Sequence, residues 1–282
     1  MKAIATLKKD LDFNKELSSL LNTMKDIAVS QYKVLEQKIK FYDELFSAID
    51  TFFEIIDAKR TAHPFTDPGN KPQAVIAVTS DNGLIGGLNM QVINTAIAEL
   101  GKIPGKIIAI GERGKIFAHE SGLPYAAFGG IQEEERYGQA MQLRDYILSE
   151  VLKGSFGHVK VVYPRPVSFT MQRIEIVTFL PFAPANPPKI TPKDMNNVII
   201  ESGLGDIIEY LVYMWMGRKL YDIFGLSRLS EFAARFAHLE DSSQKLKDTD
   251  KKLQLEYFRV KHELVDRNMR EIFAARLLFQ KS

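Results

Sequence analysis

The sequence predicts an α/β fold in which two long terminal helices form an antiparallel coiled coil and carry an inserted, Rossmann-like α/β lobe. Three observations predict it. All 12 prolines lie between Pro64 and Pro192 and all 18 glycines between Gly69 and Gly225, so both ends of the chain lack the strongest helix breakers. Both ends repeat apolar residues every seven positions. The middle alternates short apolar runs with helix-compatible stretches.

The N-terminal segment, residues 1–63, is predicted to be one shaft helix with a coiled-coil seam that begins near Leu17. Gln31 and Lys38 interrupt this seam with polar side chains. The residues at seven-residue steps are Leu21, Ala28, Leu35, Tyr42, Ile49 and Ile56, and Met24, Leu45 and Phe52 occupy companion positions.

Residues 64–204 are predicted to form the lobe, with its linkers. Strands are expected at 74–80, 106–111, 159–164 and 173–182, and helices near 88–100, 112–121 and 133–153. The first strands alternate with helices and the last two follow one another directly. This order predicts a parallel sheet with an added edge hairpin.

Residues 205–282 are predicted to form the second shaft helix, with Trp215 and Met216 packed in a core or an interface. Ser243 and Asp250 interrupt its seam. Because two segments far apart in sequence each carry one seam, we expect them to pair with each other. The seam residues are Leu239, Leu246, Leu253 and Val260, supported by Phe232, Phe236, Tyr257 and Leu264.

Composition excludes several classes of function. The net charge of +2 arises from 37 basic and 35 acidic residues, so nothing indicates binding to nucleic acid. The absence of cysteine excludes disulfides, thiolate catalysis and cysteine zinc sites. No apolar run is long enough to span a membrane and the first residues do not resemble a targeting segment, so we expect a soluble or peripheral protein.

The stretch "TSDNGLIGGLN", residues 79–89, joins a predicted strand to a predicted helix, where α/β proteins often bind phosphate. Its glycines follow neither G-x-G-x-x-G nor G-x-x-x-x-G-K-[ST], and no lysine follows to contact a phosphate. We therefore expect a tight structural turn. The five histidines have no metal-ligand spacing. The sequence predicts no catalytic, cofactor or metal site.

Several stretches nevertheless resemble one family, the gamma subunits of F-type rotary ATP synthases. "TSDNGLIGGLN" matches the family signature T-S-D-x-G-L-x-G-G-x-N at every fixed position, and "TMKDIAVSQY" aligns Met24 and Lys25 with the A-M-K-M-V-A-like core of the first helix. "SEFAARFAHLEDSSQKLKDTDKKLQLEYFRVK" is similar to the S-E-x-x-A-R-M-x-A-M block and the L-x-L-x-Y-N element after it. "VVYPRPVSF" and "TFLPF" resemble two lobe elements, in the same order along the chain.

The resemblance implies a non-catalytic rotor shaft that transmits torque inside a ring of three alpha and three beta subunits. The lobe and the shaft base would contact epsilon and the membrane c-ring, at the cytoplasmic face of the bacterial inner membrane, without entering the membrane. No cofactor is implied. The implied interface residues are Met24, Lys25, Glu231, Arg235, Tyr257, Glu271, Ile272, Phe273, Leu277 and Leu278. The last of these belong to an apolar tip that the family turns inside a bearing of the ring.

The C-terminal signature departs from the family pattern and indicates a divergent member. Tyr257, Glu271 and Ile272 are retained. The replaced positions are Phe258, Lys261, His262, Asp266 and Asn268. Two other functions are compatible with the residues alone: a coiled-coil adaptor protein and a Rossmann-like nucleotide-binding enzyme.

Overall fold

The computed structural model describes residues 4–39, 63–182 and 203–279, without the side chains of 275 and 277–279. In chain order its helices are α1 (Ile4–Ile39), α2 (Leu88–Leu100), α3 (Glu112–Glu120), α4 (Arg136–Leu152) and α5 (Leu204–Phe279). Its strands are β1 (Gln73–Val78), β2 (Gly105–Ile110), β3 (Tyr125–Phe128), β4 (His158–Pro166) and β5 (Gln172–Leu180). The predicted seam positions from Tyr42 to Ile56 lie outside the described residues.

The five strands form one sheet in the order β3-β2-β1-β4-β5. The first four strands are parallel, and β5 pairs antiparallel with β4 as an edge hairpin. The predicted parallel sheet with an added hairpin is therefore confirmed, and the three lobe helices start within three residues of their predicted positions. Strand β3 was missed, because four residues with two small alanines at an edge carry too weak an apolar signal.

Residues of the central strands β1, β2 and β4 alternate between two cores, one on each face of the sheet. Ile76, Ile108 and Val161 lie in the core that α4 and the first part of α5 complete. The neighbouring strand residues, such as Val75 and Ile107, face α2 and α3. Burial on both faces explains why the central strands read as nearly continuous apolar runs.

Trp215 and Met216 lie in a core, which is one of the two positions predicted for them. Met216 is fully buried, and the Trp215 ring makes edge contacts with Phe179 and Phe182, at centroid distances of 5.2 and 5.1 Å. These aromatic contacts pack α5 against the end of β5.

The chain divides into two compact units, one of Met1–Ile27 with Phe236–Ser282 and one of Ala28–Arg235. In the first unit, Leu7 is fully buried and Asn14 nearly so, at the same seven-residue phase as Leu21. The seam of α1 therefore begins earlier than the Leu17 start that the sequence predicted. On α5, Leu239 and Ser243 are buried. Partial burial continues at seam positions 246, 250, 253, 257 and 260 and ends there.

Candidate functional site

The signature turn, residues 79–89, connects β1 to α2 through two left-handed residues, Leu84 with φ 63° and Gly86 with φ 59°. A positive φ is routine for glycine but uncommon for leucine, whose Cβ crowds the backbone. The side chain of Leu84 is 47% exposed, whereas that of the next residue, Ile85, is buried. The turn thus holds one apolar side chain in solvent and one in the core.

Thr79 joins the turn to β2 and α3. Its hydroxyl donates to the carbonyl oxygen of Ile110, at 2.6 Å, and accepts from the backbone N–H of Gly114, at 2.8 Å. A Cβ placed on Gly114 would lie 2.5 Å from this hydroxyl oxygen, so the contact requires glycine. Both bonds are buried, and a buried backbone group that lacks a partner is destabilising.

Three other polar side chains of the turn, those of Ser80, Asp81 and Asn89, are also bonded within the chain. The side-chain oxygen of Asn89 accepts from the N–H of Ser80 at 3.1 Å, and its amide nitrogen donates to the Ser80 hydroxyl at 2.9 Å. The Asp81 carboxylate accepts from the N–H of Glu112 at 2.9 Å, at the positive N-terminus of α3. The signature residues therefore fasten β1, α2 and α3 to one another, which is the structural role expected from the glycine spacing.

A cleft of about 500 Å³ lies beside this turn, at the carboxyl ends of the parallel strands. Ligands of open α/β sheets bind in this position. Here the chain's own first helix forms one wall, through residues that include Gln31 and Leu35, and Asp81 and Ile131 lie across from it. Part of the usual ligand crevice is thus filled by α1.

Glu231 and Arg235, both predicted interface residues, belong to an internal ion cluster on α5. The Glu231 carboxylate is 5% exposed and contacts Arg228 at 2.6 Å and Arg235 at 2.5 Å. The Arg228 guanidinium also lies over the Phe232 ring, 4.8 Å from its centroid. About two turns of α5 are therefore linked by ion pairs of Glu231 with the two arginines.

Lys25 and Met24 lie in the first unit. The Lys25 ammonium is 2.7 Å from an Oε atom of Glu240, and its side chain is only 13% exposed. The hydrogen bond from Lys25 holds the pKa of the Glu240 carboxyl below its usual value. Met24 is partly buried. Lys25 thus has a partner on α5, an interaction that the sequence reasoning had not identified.

The predicted tip residues differ in exposure. Tyr257 is partly buried and contacts Phe258 edge to face, whereas Glu271, Ile272 and Phe273 are exposed. Helix α5 continues through positions 277 and 278, whose side chains lie outside the description. Apolar groups at the end of the helix therefore face solvent in the isolated chain.

Sequence reasoning missed a second apolar stripe on α1, one residue before the buried seam. Its four members are 50% to 62% exposed and are spaced seven residues apart: Phe13, Leu20, Ile27 and Val34. The signal was present in the sequence as a second seven-residue repeat. It was overlooked because the neighbouring repeat of seam residues is already sufficient to predict the helix.

A protein-family model described as ATP synthase matches residues 4–276. The ATP synthase gamma chain of Clostridium acetobutylicum is 26% identical over 263 residues, which cover 90% of this chain and 90% of that one. The chain belongs to the ATP synthase gamma-chain family. The gamma chain of Clostridium pasteurianum is 27% identical over 212 residues, or 72% of each chain.

Solved structures show the same fold. A chain of the Euglena gracilis mitochondrial ATP synthase superposes with a TM-score of 0.70 at 16% identity, covering 98% of this chain and 94% of that one. Family membership makes this chain the central rotor shaft of an ATP synthase and a non-catalytic subunit of that complex. This function replaces the adaptor and the nucleotide-binding enzyme that the sequence left open.

None of the helices described is both long and apolar enough to cross a membrane. Within the same residues, no group of three or more histidine, aspartate or glutamate side chains is arranged to bind a metal ion.

Proposed function

We propose that α1 and α5 pair as an antiparallel coiled coil, and that this pair is the part of the shaft that turns inside the catalytic ring. The seven-residue burial of Leu7 and Asn14 on α1, and of Leu239 on α5, is the observation that carries this proposal. The Lys25–Glu240 ion pair joins the two helices. A groove further along is lined by residues 11–18 of α1 and residues 246–254 of α5. Since lower numbers on α1 meet higher numbers on α5, the direction is antiparallel.

The ring of alpha and beta subunits would cover the apolar groups that the isolated chain exposes. The α1 stripe defined above and the tip residues Ile272 and Phe273 are each at least half exposed. Repeated exposure of large apolar side chains along one helix face is typical of an interaction surface. Apolar contact is non-directional, so a shaft can turn against it without breaking a fixed set of hydrogen bonds. Met24, Tyr257, Glu271, Leu277 and Leu278 would lie along the same path.

The lobe and the start of α5 would bind epsilon and the membrane c-ring. Tyr210, Tyr213 and Met214 lie close together on α5 and are 62%, 38% and 42% exposed. Tyrosine and methionine are enriched at protein interfaces because they combine apolar area with polar or adaptable atoms. This arrangement would place the subunit at the cytoplasmic face of a bacterial inner membrane.

The absence of cysteine allows a direct test of the ring contact. A Leu20→Cys variant labelled with a benzophenone maleimide and assembled with alpha and beta subunits is expected to cross-link to the ring on illumination. Cross-linking should stop ATP hydrolysis by the complex, because a tethered shaft cannot turn. A Tyr125→Cys variant, labelled on the edge strand β3 of the lobe, is the matched control and should leave hydrolysis unchanged. Cross-linking at Leu20 without loss of hydrolysis would contradict the proposal.

The base contact has its own test. Tyr210→Ala and Met214→Ala together should weaken co-purification of epsilon and the c-ring with the subunit, while alpha and beta stay bound. Leu84→Ala, which also truncates an exposed apolar side chain of the lobe, serves as the control. If both variants retained epsilon and the c-ring equally, Tyr210 and Met214 would not form the contact with these partners.

A further inference from the structure

The last part of α5 carries a coiled-coil seam of its own. Among the side chains described, every residue from 261 to 274 is exposed. The apolar residues of this region alternate at steps of three and four, with one histidine among them, as the a and d positions of a heptad do. They are Leu255, Phe258, His262, Val265, Met269 and Ile272, and the five apolar members are 47% to 72% exposed. We call this set the tip seam.

The tip seam faces away from the seam proposed to pair with α1. Leu255 follows Leu253 by two positions, and His262 follows Val260 by two. Two residues correspond to a rotation of about 200° around a helix. The two stripes therefore lie on nearly opposite sides of α5, and α1 cannot cover both.

We infer that, in the free subunit, the tip seam binds the tip seam of a second copy of this chain, with the two helices parallel. Alternating steps of three and four residues fit the knobs-into-holes contact of another helix. An identical helix supplies the same apolar layers, so Val265 and Ile272 would each face their own copies.

Charge favours the parallel direction. In a parallel pair, a residue at a g position meets the e position five residues later on the other helix. Lys261 occupies g and Asp266 occupies e, and neither makes an ion pair within the part of the chain that the structure describes. Two Lys261–Asp266 pairs would form across the two-fold axis. In an antiparallel pair, e positions face e positions, so Asp266 would have to pair with Arg259 of the other helix. Arg259 already forms an ion pair with Glu263 of its own helix, at 3.3 Å.

This self-association does not depend on the proposed ring contacts. It uses the same tip, so a subunit paired with its copy cannot occupy the centre of a ring. Pairing would cover the apolar tip in the free subunit. Alpha and beta subunits would compete for the same tip, so the self-association would be lost on assembly.

Sedimentation of the isolated full-length chain over a range of concentrations tests the inference. The wild type is expected to reach twice the mass of one chain. Val265→Asp should raise the concentration at half-association by about tenfold or more, because it places carboxylates in an apolar layer. Leu264→Asp is the matched control, since Leu264 is also 47% exposed but lies off the tip seam. A single-chain mass at all concentrations, or equal effects of both variants, would overturn the inference and leave the ring role untouched.

Direction is tested by a charge exchange and by disulfide trapping. Lys261→Asp should weaken association, and the double variant Lys261→Asp/Asp266→Lys should restore it, because the exchanged charges still meet across a parallel pair. In the cysteine-free chain, Val265→Cys should form a disulfide with its own copy under mild oxidation, whereas Leu264→Cys should not. Failure of the double variant to recover, or equal trapping at both positions, would exclude the parallel pair.

Discussion

The guanidinium of Arg144 lies over the ring of Tyr213, with Cζ 3.4 Å from the ring centroid, and its Nη2 donates to the Tyr213 hydroxyl. Arg144 is 6% exposed, although arginine is rarely buried without strong partners. Space for it comes from Gly217, where a Cβ would lie 2.9 Å from Nη1. A glycine inside this helix is thus explained by the close approach of Arg144 and Met141.

The same arrangement recurs two turns away. Arg136 lies over Tyr221 at 4.2 Å and donates to its hydroxyl, and a Cβ at Gly225 would lie 2.5 Å from its Nη1. The two arginines are eight residues apart on α4, and their tyrosines are eight residues apart on α5 in the opposite direction. Two arginine–tyrosine stacks thus fix the register between α4 of the lobe and the first turns of the shaft helix.

The first prediction is that Arg144→Lys lowers the free energy of unfolding by about 1–2 kcal/mol, although the charge is kept. An ammonium cannot stack flat on Tyr213 or donate in the same planar fork. Urea unfolding followed by far-ultraviolet circular dichroism measures the change. Arg173→Lys, in an exposed ion pair of β5, is the control and should be near neutral. A neutral Arg144→Lys would mean that the stack contributes little.

The second prediction concerns the signature turn. Thr79→Val keeps the shape of the side chain but removes the hydroxyl, leaving the buried N–H of Gly114 without its partner. Unfolding should become easier by about 1–3 kcal/mol. Thr95→Val removes a hydroxyl that bonds only to the carbonyl of the previous turn of α2, and should change stability much less. Equal losses for both variants would argue against a special role for Thr79.

Much of the lobe could be predicted from the sequence because its signals are local. Buried parallel strands give continuous apolar runs, and helix α2 was predicted with the observed bounds. The interior positions of Glu231 and Arg235 could not be predicted, because a charged residue carries no sign of whether its partners lie in the same chain. Glu231 forms ion pairs with Arg228 and Arg235, both within four residues on α5, and the predicted contact of Glu231 and Arg235 with another subunit stays a prediction.

The third prediction is a pH dependence centred on Glu99, which is 6% exposed on α2. Hydrogen bonds from Lys102 and then Lys160 lower the pKa of the Glu99 carboxyl below its ordinary value of 4.5, although burial opposes them. A carboxyl with a depressed folded pKa stabilises the fold above its unfolded pKa, and that stabilisation is lost as the pH falls through the folded value.

Glu99→Gln should therefore be less stable than the wild type at about pH 7, and the difference should shrink as the pH falls below about 4.5. Urea unfolding at a series of pH values measures it. Glu112→Gln, in an exposed pair with Lys115, should show no comparable trend. A Glu99→Gln difference that stays constant across this range would refute the assignment.

The fourth prediction separates the internal role of Lys25 from a contact with a beta subunit. Lys25→Glu places a second carboxylate against Glu240 and removes their ion pair. Reconstituted in vesicles with the rest of the complex, this variant should assemble but change the ratio of ion pumping to ATP hydrolysis. An unchanged ratio would show that Lys25 plays no part in coupling.

The exchange variant Lys25→Glu/Glu240→Lys is the deciding control, because it restores the internal pair with its charges reversed. Recovery of normal coupling would assign the effect to pairing between α1 and α5. Coupling that stays altered would show that a positive charge is needed at position 25 itself, as expected if Lys25 faces an acidic segment of a beta subunit.

The last prediction concerns the end of α5, where Ile272 and Phe273 are 65% and 60% exposed. Exposed side chains contribute little to the stability of the chain that carries them. Deleting residues 272–282, which removes both side chains, should leave the urea unfolding of the isolated subunit unchanged within about 0.5 kcal/mol. The assembled complex should dissociate more readily on dilution, because the ring has lost its contact with the tip, yet it should still turn on torque carried lower on the shaft. If the truncated subunit unfolded more easily by itself, the tip would belong to the chain's own core and could not be a bearing surface.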